Sequence, residues 1–338
     1  MARATIEDVA DKAGVSVATV DRVLNGRAKV RPQNAKRVEA AIRSLNYHPD
    51  RLAARLAKGR EYRFCFVLPK GDNVFMRGLE QEISSHALHL ESERVNADIL
   101  YTDVFDPQSL ADALHGLRGY DGVAVVALDH PKVREAIAGL SERDVVVVTL
   151  VSDVPGSARA HFVGIDNSAA GRTAATLMGR YCGERKGSIG VIAGSMSLRD
   201  HAERHFGFMQ VMQQEYRGLK VLPVCEGRDN ANRNEQMVAT MLEATPDLIG
   251  IYNIGSGPEG ILAALRNKDF SVTFITHELN TFTRKGLIEG SIAVVIAQDP
   301  GHEIRSAMRV LMARCDRAPI LAAMERIAID IYVRDNLP

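Results

Sequence analysis

No apolar run in this chain reaches the roughly 18 residues that a membrane-spanning helix needs, because Glu, Asp, Lys or Arg interrupts each one well short of that length. A transmembrane helix is therefore excluded. The stretch Met1 to Gly14 lacks the basic-then-apolar order of a secretory signal, being acidic and alternating, so a cytoplasmic location is expected. Cysteine is scarce. The four residues, Cys65, Cys182, Cys225 and Cys315, include no CxxC pair and have no His at ligand spacing, which argues against structural zinc or a disulfide framework and for buried or inert thiols. Phosphate cradles are missing too: no G-x-G-x-x-G opens the first apolar run, Gly194-Ser195 has no P-loop Lys, and Gly255-Ser256-Gly257 runs into Pro258-Glu259. No nucleotide cofactor and no metal are expected. Net charge of either sign is absent as well, with 42 basic against 42 acidic residues.

The chain does have 338 residues, 46% of them hydrophobic and 25% charged, which is enough apolar material for a sizeable core and places it among ordinary globular proteins. At roughly 100–200 residues per domain, two or three units are allowed. The zero net charge conceals an asymmetry, because residues 1–60 hold 13 Lys and Arg against 6 Asp and Glu, leaving 29 against 36 for the remainder. A basic module precedes a mildly acidic body. Such a module suits a polyanion, since phosphate neutralisation supplies most non-specific affinity for nucleic acid, although a solvated basic surface has the same charge.

The basic module has helical punctuation. Thr5 with Asp8 three residues on reads as a capping box ahead of Val9 and Ala13, so a first helix is expected over about Ile6 to Ala13. Gly14 fits a left-handed turn, Ser16 caps a second helix, and Val17 to Leu24 continues with Val20, Val23 and Leu24 on a buried face. A third amphipathic helix follows Pro32, with Ala35, Val38, Ala41, Ile42 and Leu45 at helical spacing. Helix, glycine turn, helix and supporting helix make a helix-turn-helix unit whose second helix would enter the major groove.

The segment ATIEDVADKAGVSVATVDRVLNG, continued by LNYHPDRLAARLAKGR, resembles the DNA-binding domain and hinge of the lactose-repressor family of transcription regulators. The resemblance implies that Val17, Ala18 and Arg22 read base edges, Arg22 by a bidentate contact to guanine and the other two by apolar contact. It also implies that Thr5, Ser16, Thr19, Asn25 and Tyr47 hold the phosphate backbone, with capping an alternative role for Thr5 and Ser16. Asp21 stands where the family usually has Ser, and a carboxylate near phosphates is unfavourable; pairing with Arg22, Arg27 or Lys29 would relieve it. Residues 49–60 form the hinge, too short to be helical alone. By resemblance it folds on operator DNA, Leu56 wedging into the minor groove and Arg55 lining the hinge pair or the groove.

From Glu61 onward, short apolar runs alternate with amphipathic helices: Phe64 to Leu68, Ile99 to Tyr101, Gly122 to Ala127, Val145 to Leu150, Phe162 to Ile165, Ser188 to Ile192, Val221 to Val224, Leu248 to Tyr252, Val272 to Thr276 and Ala293 to Ala297. The alternation predicts parallel sheets covered on both faces, and the strand number predicts two α/β lobes with a ligand cleft at the carboxyl ends of the strands. The chain ends as a final strand and short tail, IYVRDNLP, with no leucine heptad after Arg326 to make a coiled coil.

This body resembles the periplasmic sugar-binding proteins and the effector domains of the same repressor family. The expected architecture is therefore a three-helix DNA-binding domain (1–48), a hinge (49–60) and a two-lobed periplasmic-binding-protein-like α/β effector domain (61–338). By resemblance the ligand contacts are Asn73, Phe75 as a stacking ring, Asp129, Asp153, Arg204, Asn253, Glu278 in place of the family's Asp, and the hinge-side Gln298. Each has a plainer reading: core or dimer surface for Phe75, turn or helix caps for Asp129 and Asp153, an N-cap neighbour for Gln298, and a surface ion pair with Glu203 or Asp200 for Arg204. Asp166-Asn167 reads as a helix cap. Asn253 is offset by one residue from the family's Asn-Asp pair, so ligand specificity cannot be carried over.

A cleft hydrolase would need linked acid–base groups, and Asp129, Asp153, Glu278, His201, His205 and His277 are available. No G-x-S-x-G elbow or H-E-x-x-H is present, and the His201/His205 pair reads as helix surface. A transport-binding protein has no use for residues 1–60. The expectation is a non-enzymatic regulator, more specifically a repressor. It acts as a homodimer on pseudo-palindromic operator DNA and is controlled by a small sugar or polyol, or by another metabolite in the same cleft.

Overall fold

The computed structural model describes residues 4–24, 30–45, 47, 61–71, 73–86, 94–266 and 272–338. Contacts divide the chain into two compact units, Met1–Glu61 and Tyr62–Pro338.

In the first unit α1 (Ile6–Ala13), α2 (Val17–Leu24) and α3 (Pro32–Leu45) surround Val9, Ala10, Ala13, Val20, Val38, Ala41 and Tyr47. The capping box is reciprocal: Asp8 N–H donates to Thr5 Oγ1 at 3.3 Å, and Thr5 N–H to Asp8 Oδ2 at 2.8 Å. Gly14 ends α1 at φ +60°, a conformation that side chains other than glycine's adopt at a cost. A Cβ there would also lie 2.4 Å from Arg37 Nη2, a flexible side-chain end that can move aside, so it is the backbone conformation that calls for glycine in this turn.

The second unit contains two sheets. The first has the order β2 (Val95–Thr102), β1 (Tyr62–Pro69), β3 (Gly122–Val125), β4 (Val146–Leu150), β5 (His161–Val163), all parallel. From Phe64 onward β1 is apolar because both faces are covered: Phe64, Phe66 and Leu68 enter one core, Cys65 and Val67 the other. Helices α4 (Val74–Ser85), α5 (Pro107–Gly116) and α6 (Pro131–Glu142) connect these strands.

The second sheet runs β12 (Asp330–Tyr332), β11 (Val294–Ala297), β10 (Thr273–His277), β9 (Leu248–Asn253), β6 (Gly187–Ala193), β7 (Leu219–Val221), with the short β8 (Cys225–Glu226) also on β6. Only β12 is antiparallel to its neighbour. Its helices are α7 (Asn167–Cys182), α8 (Arg199–Glu215), α9 (Ala231–Ala244), α10 (Pro258–Arg266) and α11 (Thr281–Glu289).

The expected strand over Val221 to Val224 is instead split between β7 and β8. Pro223 has no N–H to give to the ladder, so pairing stops on one side of it and resumes on the other.

The chain passes between the sheets three times: after β5, after β11 into α12 (Pro300–Cys315), which packs on α4 and on β3 to β5, and back into β12. One core spans both sheets, from Phe64 and Phe66 to Ile189, Val191 and Ile296. Where α7 crosses α8, small residues let the backbones touch. A Cβ on Gly171 would lie 1.9 Å from the Arg204 carbonyl oxygen, and one on Gly207 would lie 2.1 Å from that of Ser168. This close crossing positions Arg204.

Candidate nucleic-acid interface and ligand cleft

On α2 the buried Val20 faces the three-helix core, leaving Val17, Ala18 and Arg22 exposed on the far side. Three residues expected to read bases therefore share one solvent face. Ser16 Oγ accepts from Thr19 N–H at 3.3 Å and lies 3.0 Å from Thr19 Oγ1, so these two side chains cap α2. Thr5 is occupied in its own capping box, and both caps keep an exposed position. Tyr47 is buried with Val9, Val20 and Val38. Asn25, Arg55 and Leu56, with the rest of the hinge, lie outside the described residues.

In the second unit the lobes meet across the carboxyl ends of their strands. Asn73 caps α4, its Oδ1 accepting from Phe75 N–H at 3.0 Å and Met76 N–H at 3.4 Å, while its Nδ2 donates across the cleft to Asp229 Oδ2 at 3.1 Å. A second link joins Arg199 N–H to Ser152 Oγ at 3.1 Å. The lobes are thus closed on one another. Three non-glycine residues beside the cleft have positive φ, namely Val151 at +64°, Asp229 at +55° and Glu278 at +68°. For β-branched Val151 this is a costly conformation, of the kind that concentrates at binding sites.

Arg204 is buried at 3% exposure, with its Nε donating to Asn167 Oδ1 at 2.8 Å and its Nη1 to Ile254 O at 3.0 Å. It is not the surface ion pair considered for it, since Glu203 pairs with Arg199 at 2.7 Å. Asp166 does cap α7, accepting from Ala169 N–H at 2.8 Å, but its neighbour Asn167 anchors Arg204. Around the guanidinium stand Asp200, Tyr252, His277, Glu278 and Glu303, each within its electrostatic range or that of a neighbour.

Gln298 Nε2 donates to Glu278 Oε1 at 2.9 Å, and Asn253 Nδ2 donates to Thr276 Oγ1 and Gly255 O, both at 3.0 Å. Burial pushes the Glu278 carboxyl up to about 7 against the pull of Arg204 and Gln298. Burial likewise holds His277 well below the usual range, so it is neutral, with Nε2 2.8 Å from the Tyr252 hydroxyl.

Phe75 lines a cavity of about 490 Å³ together with Arg77, Glu278, Asn280, Gln298 and Tyr332, a volume suited to a monosaccharide-sized molecule. Asp129 and Asp153 stand apart from this group. Asp129 is paired with Arg134. Asp153 binds Arg159 through both oxygens, at 2.5 and 2.6 Å, and also accepts from Thr149 Oγ1 at 2.7 Å and Val154 N–H at 2.8 Å, the turn-holding alternative considered for it. The structure brings together Asn73, Phe75, Arg204, Asn253, Glu278 and Gln298.

Sequence reasoning passed over Glu303, Asp229 and Tyr252 as cleft residues. Only Asp229 had a local signal, a polar residue at the end of a short strand. His201 departs from the expected surface pair: it is buried, with Nδ1 3.2 Å from the Ser195 backbone and Nε2 3.6 Å from Asp200 Oδ2, because α8 packs against the strand ends on that side. Among the described residues no three His, Cys, Asp or Glu side chains are grouped to hold a metal ion, and no helix is long and apolar enough to cross a membrane.

Comparison with known proteins agrees with both units. The family described as periplasmic binding protein domain matches residues 64–318, and the bacterial regulatory proteins, lacI family, match residues 5–50. The ribose operon repressor of Bacillus subtilis strain 168 is 33% identical over 138 residues, 38% of this chain and 42% of that protein, so the similarity spans less than half of that relative. Catabolite control protein A of Staphylococcus aureus strain MRSA252 is 26% identical over 72% of each chain. In fold, the second unit superposes on a glucose-galactose binding protein from Geobacillus stearothermophilus with a TM-score of 0.72 at 20% identity, covering 82% of this chain and 99% of that one. The chain belongs to the periplasmic binding protein domain family and carries, ahead of that domain, the DNA-binding segment of the lacI-family regulators.

Proposed function

We propose that this protein is a ligand-responsive transcription repressor, organised as a DNA-binding domain over residues 1–48, a hinge over 49–60 and an effector domain over 61–338. The observation that carries the reading is the combination, in one chain, of a lacI-family helix-turn-helix with an exposed Val17, Ala18 and Arg22 face and a two-lobed domain closed on a polar cleft. It acts in the cytoplasm as a homodimer on a pseudo-palindromic operator, and a small sugar or polyol in the cleft controls it. Arg22 reads guanine, Val17 and Ala18 make apolar contacts, and Thr5, Ser16, Thr19, Asn25 and Tyr47 fix the backbone register. Arg55 and Leu56 act from the hinge.

Asn73, Phe75, Arg204, Asn253, Glu278 and Gln298 hold the effector. The relatives' names, a ribose operon repressor and a catabolite control protein, fit this class. Effector binding changes lobe closure, and with it the cost of seating two hinges on DNA; a coupling of about 1–3 kcal/mol alters operator affinity about 5–150-fold. No hydrolytic step is assigned to the cleft.

The test is selection of bound genomic fragments by the full chain, followed by fluorescence anisotropy with and without sugars and polyols. Selection of a two-fold symmetric site whose affinity shifts with one such compound is the expected result. Binding that is indifferent to DNA sequence would overturn the reading.

A further inference from the structure

We infer that the C-terminal strand β12 forms part of the effector site, with Asp330 and Tyr332 as specificity-determining contacts, and that the effector is a neutral sugar rather than a phosphorylated or carboxylated one; this rests on the cleft being the effector site. The cavity of about 490 Å³ has a wall of three parts. Phe75 and Arg77 come from α4 in the lobe of the first sheet, Glu278 and Gln298 from just past the ends of β10 and β11 in the other lobe, and Asp330 and Tyr332 from β12. A molecule seated there touches both lobes at once.

The reversed direction of β12 brings its residues to this wall. It pairs with β11 at Ala297↔Asp330 and Val295↔Tyr332, so the returning chain lies beside the residue that precedes Gln298. Asp330 and Tyr332 are two positions apart and therefore project from the same face of the strand. Both are half-buried, and among the described residues neither the Asp330 carboxylate nor the Tyr332 hydroxyl has a hydrogen-bond or ion-pair partner. Their polar atoms are available to a ligand.

The rest of the wall decides the ligand's charge. Gln298 gives its Nε2 to Glu278 and keeps Oε1 buried without a donor. Three carboxyls, Glu278, Asp299 and Asp330, line the cavity with one guanidinium, that of Arg77, which already has a partner. Arg305 offsets Asp299 in part at 3.5 Å. The carboxyls are spread around the wall, and no metal-binding group of acidic side chains forms among the described residues. A phosphate or carboxylate on the ligand would bring a like charge to this wall with no cation left to pair it, and desolvating such a group unpaired is costly. Sugar hydroxyls fit, because each can donate to Asp330 or Gln298 Oε1 and accept from the Tyr332 hydroxyl. The rings of Phe75 and Tyr332 offer apolar surface to the C–H groups of the same molecule.

The test is calorimetric titration of the full chain, in a buffer free of phosphate, with glucose, galactose and ribose, each beside its phosphate ester, and with the uronic acids of the two hexoses. One neutral sugar is expected to bind about ten-fold or more tightly than its own charged derivatives. Asp330→Asn, nearly the same shape, is expected to weaken that sugar about ten-fold and to narrow its lead over the charged forms. Tyr332→Ala is expected to weaken it more than Tyr332→Phe, which keeps the ring. A charged derivative binding as tightly as its parent overturns the inference, as does an equal loss for neutral and charged ligands in Asp330→Asn. Wild-type affinity in both Asp330→Asn and Tyr332→Ala also overturns it, while the sugar reading of the cleft stands. Silence across the panel overturns the sugar reading and the inference with it.

Discussion

Replacing Glu278 by Gln should change how the stability of this protein depends on pH, in a direction that the cleft geometry dictates. The side chain follows β10, its backbone N–H donating to Ile296 O at 2.9 Å and its Oε1 accepting from Gln298 at 2.9 Å. Desolvation raises its carboxyl from the ordinary 4.5 to about 7. Between those values the folded protein keeps a proton that the unfolded chain releases. The folded state then binds more protons, so stability falls as pH rises through the window and stays lower above it. At about 1.4 kcal/mol per pH unit the loss approaches roughly 3 kcal/mol, an upper bound because the side chain retains some solvent access. Glu278→Gln keeps the acceptor oxygen for Gln298 and removes the titration. Urea unfolding of both proteins at pH 5 and pH 8 is the assay: the wild type should lose up to about 3 kcal/mol more than the variant between the two. Parallel profiles would refute the reasoning, because they would mean that the carboxyl titrates alike folded and unfolded.

Gly171→Ala should destabilise the second unit by about 1–3 kcal/mol, since its Cβ would lie 1.9 Å from the Arg204 carbonyl, and a calorimetric scan with an unmoved transition would contradict that. Asn73→Ala removes both the α4 cap, a loss of about 1 kcal/mol, and the donor to Asp229. Spin labels on the two lobes should report a wider distance distribution in this variant, and an unchanged distribution would show that the bridge does not hold the cleft closed. Arg22→Ala should weaken operator binding by about 1–3 kcal/mol and relax discrimination at one base pair, read by anisotropy against single-base operator variants.

Much of the first unit was legible because its signals act over three or four residues. The Thr5–Asp8 box, the Gly14 turn and Pro32 bound three helices at the expected positions, since a cap is satisfied by neighbours in the chain whatever lies beyond. The α/β character of the second unit was equally plain, because strands buried on both faces are mostly apolar, as in residues 64–68 of β1 and 189–193 of β6. Arg204 was singled out by resemblance alone.

The surroundings of Arg204 were not legible. Asn167 looked like part of a cap and His201 like helix surface, because a side chain's partner is remote or its burial depends on how helices pack.

Local sequence thus determined where the helices of the first unit begin and end, and that the chain joins a basic helix-turn-helix to a two-lobed α/β domain. Tertiary structure alone decided which polar groups share the cleft. Asn73 meets Asp229 across 156 positions, and Glu303 reaches the cluster around Arg204 only because α12 crosses back between the lobes. Burial removes the water that would otherwise satisfy these groups, so their chemistry depends on which distant segments fold against them.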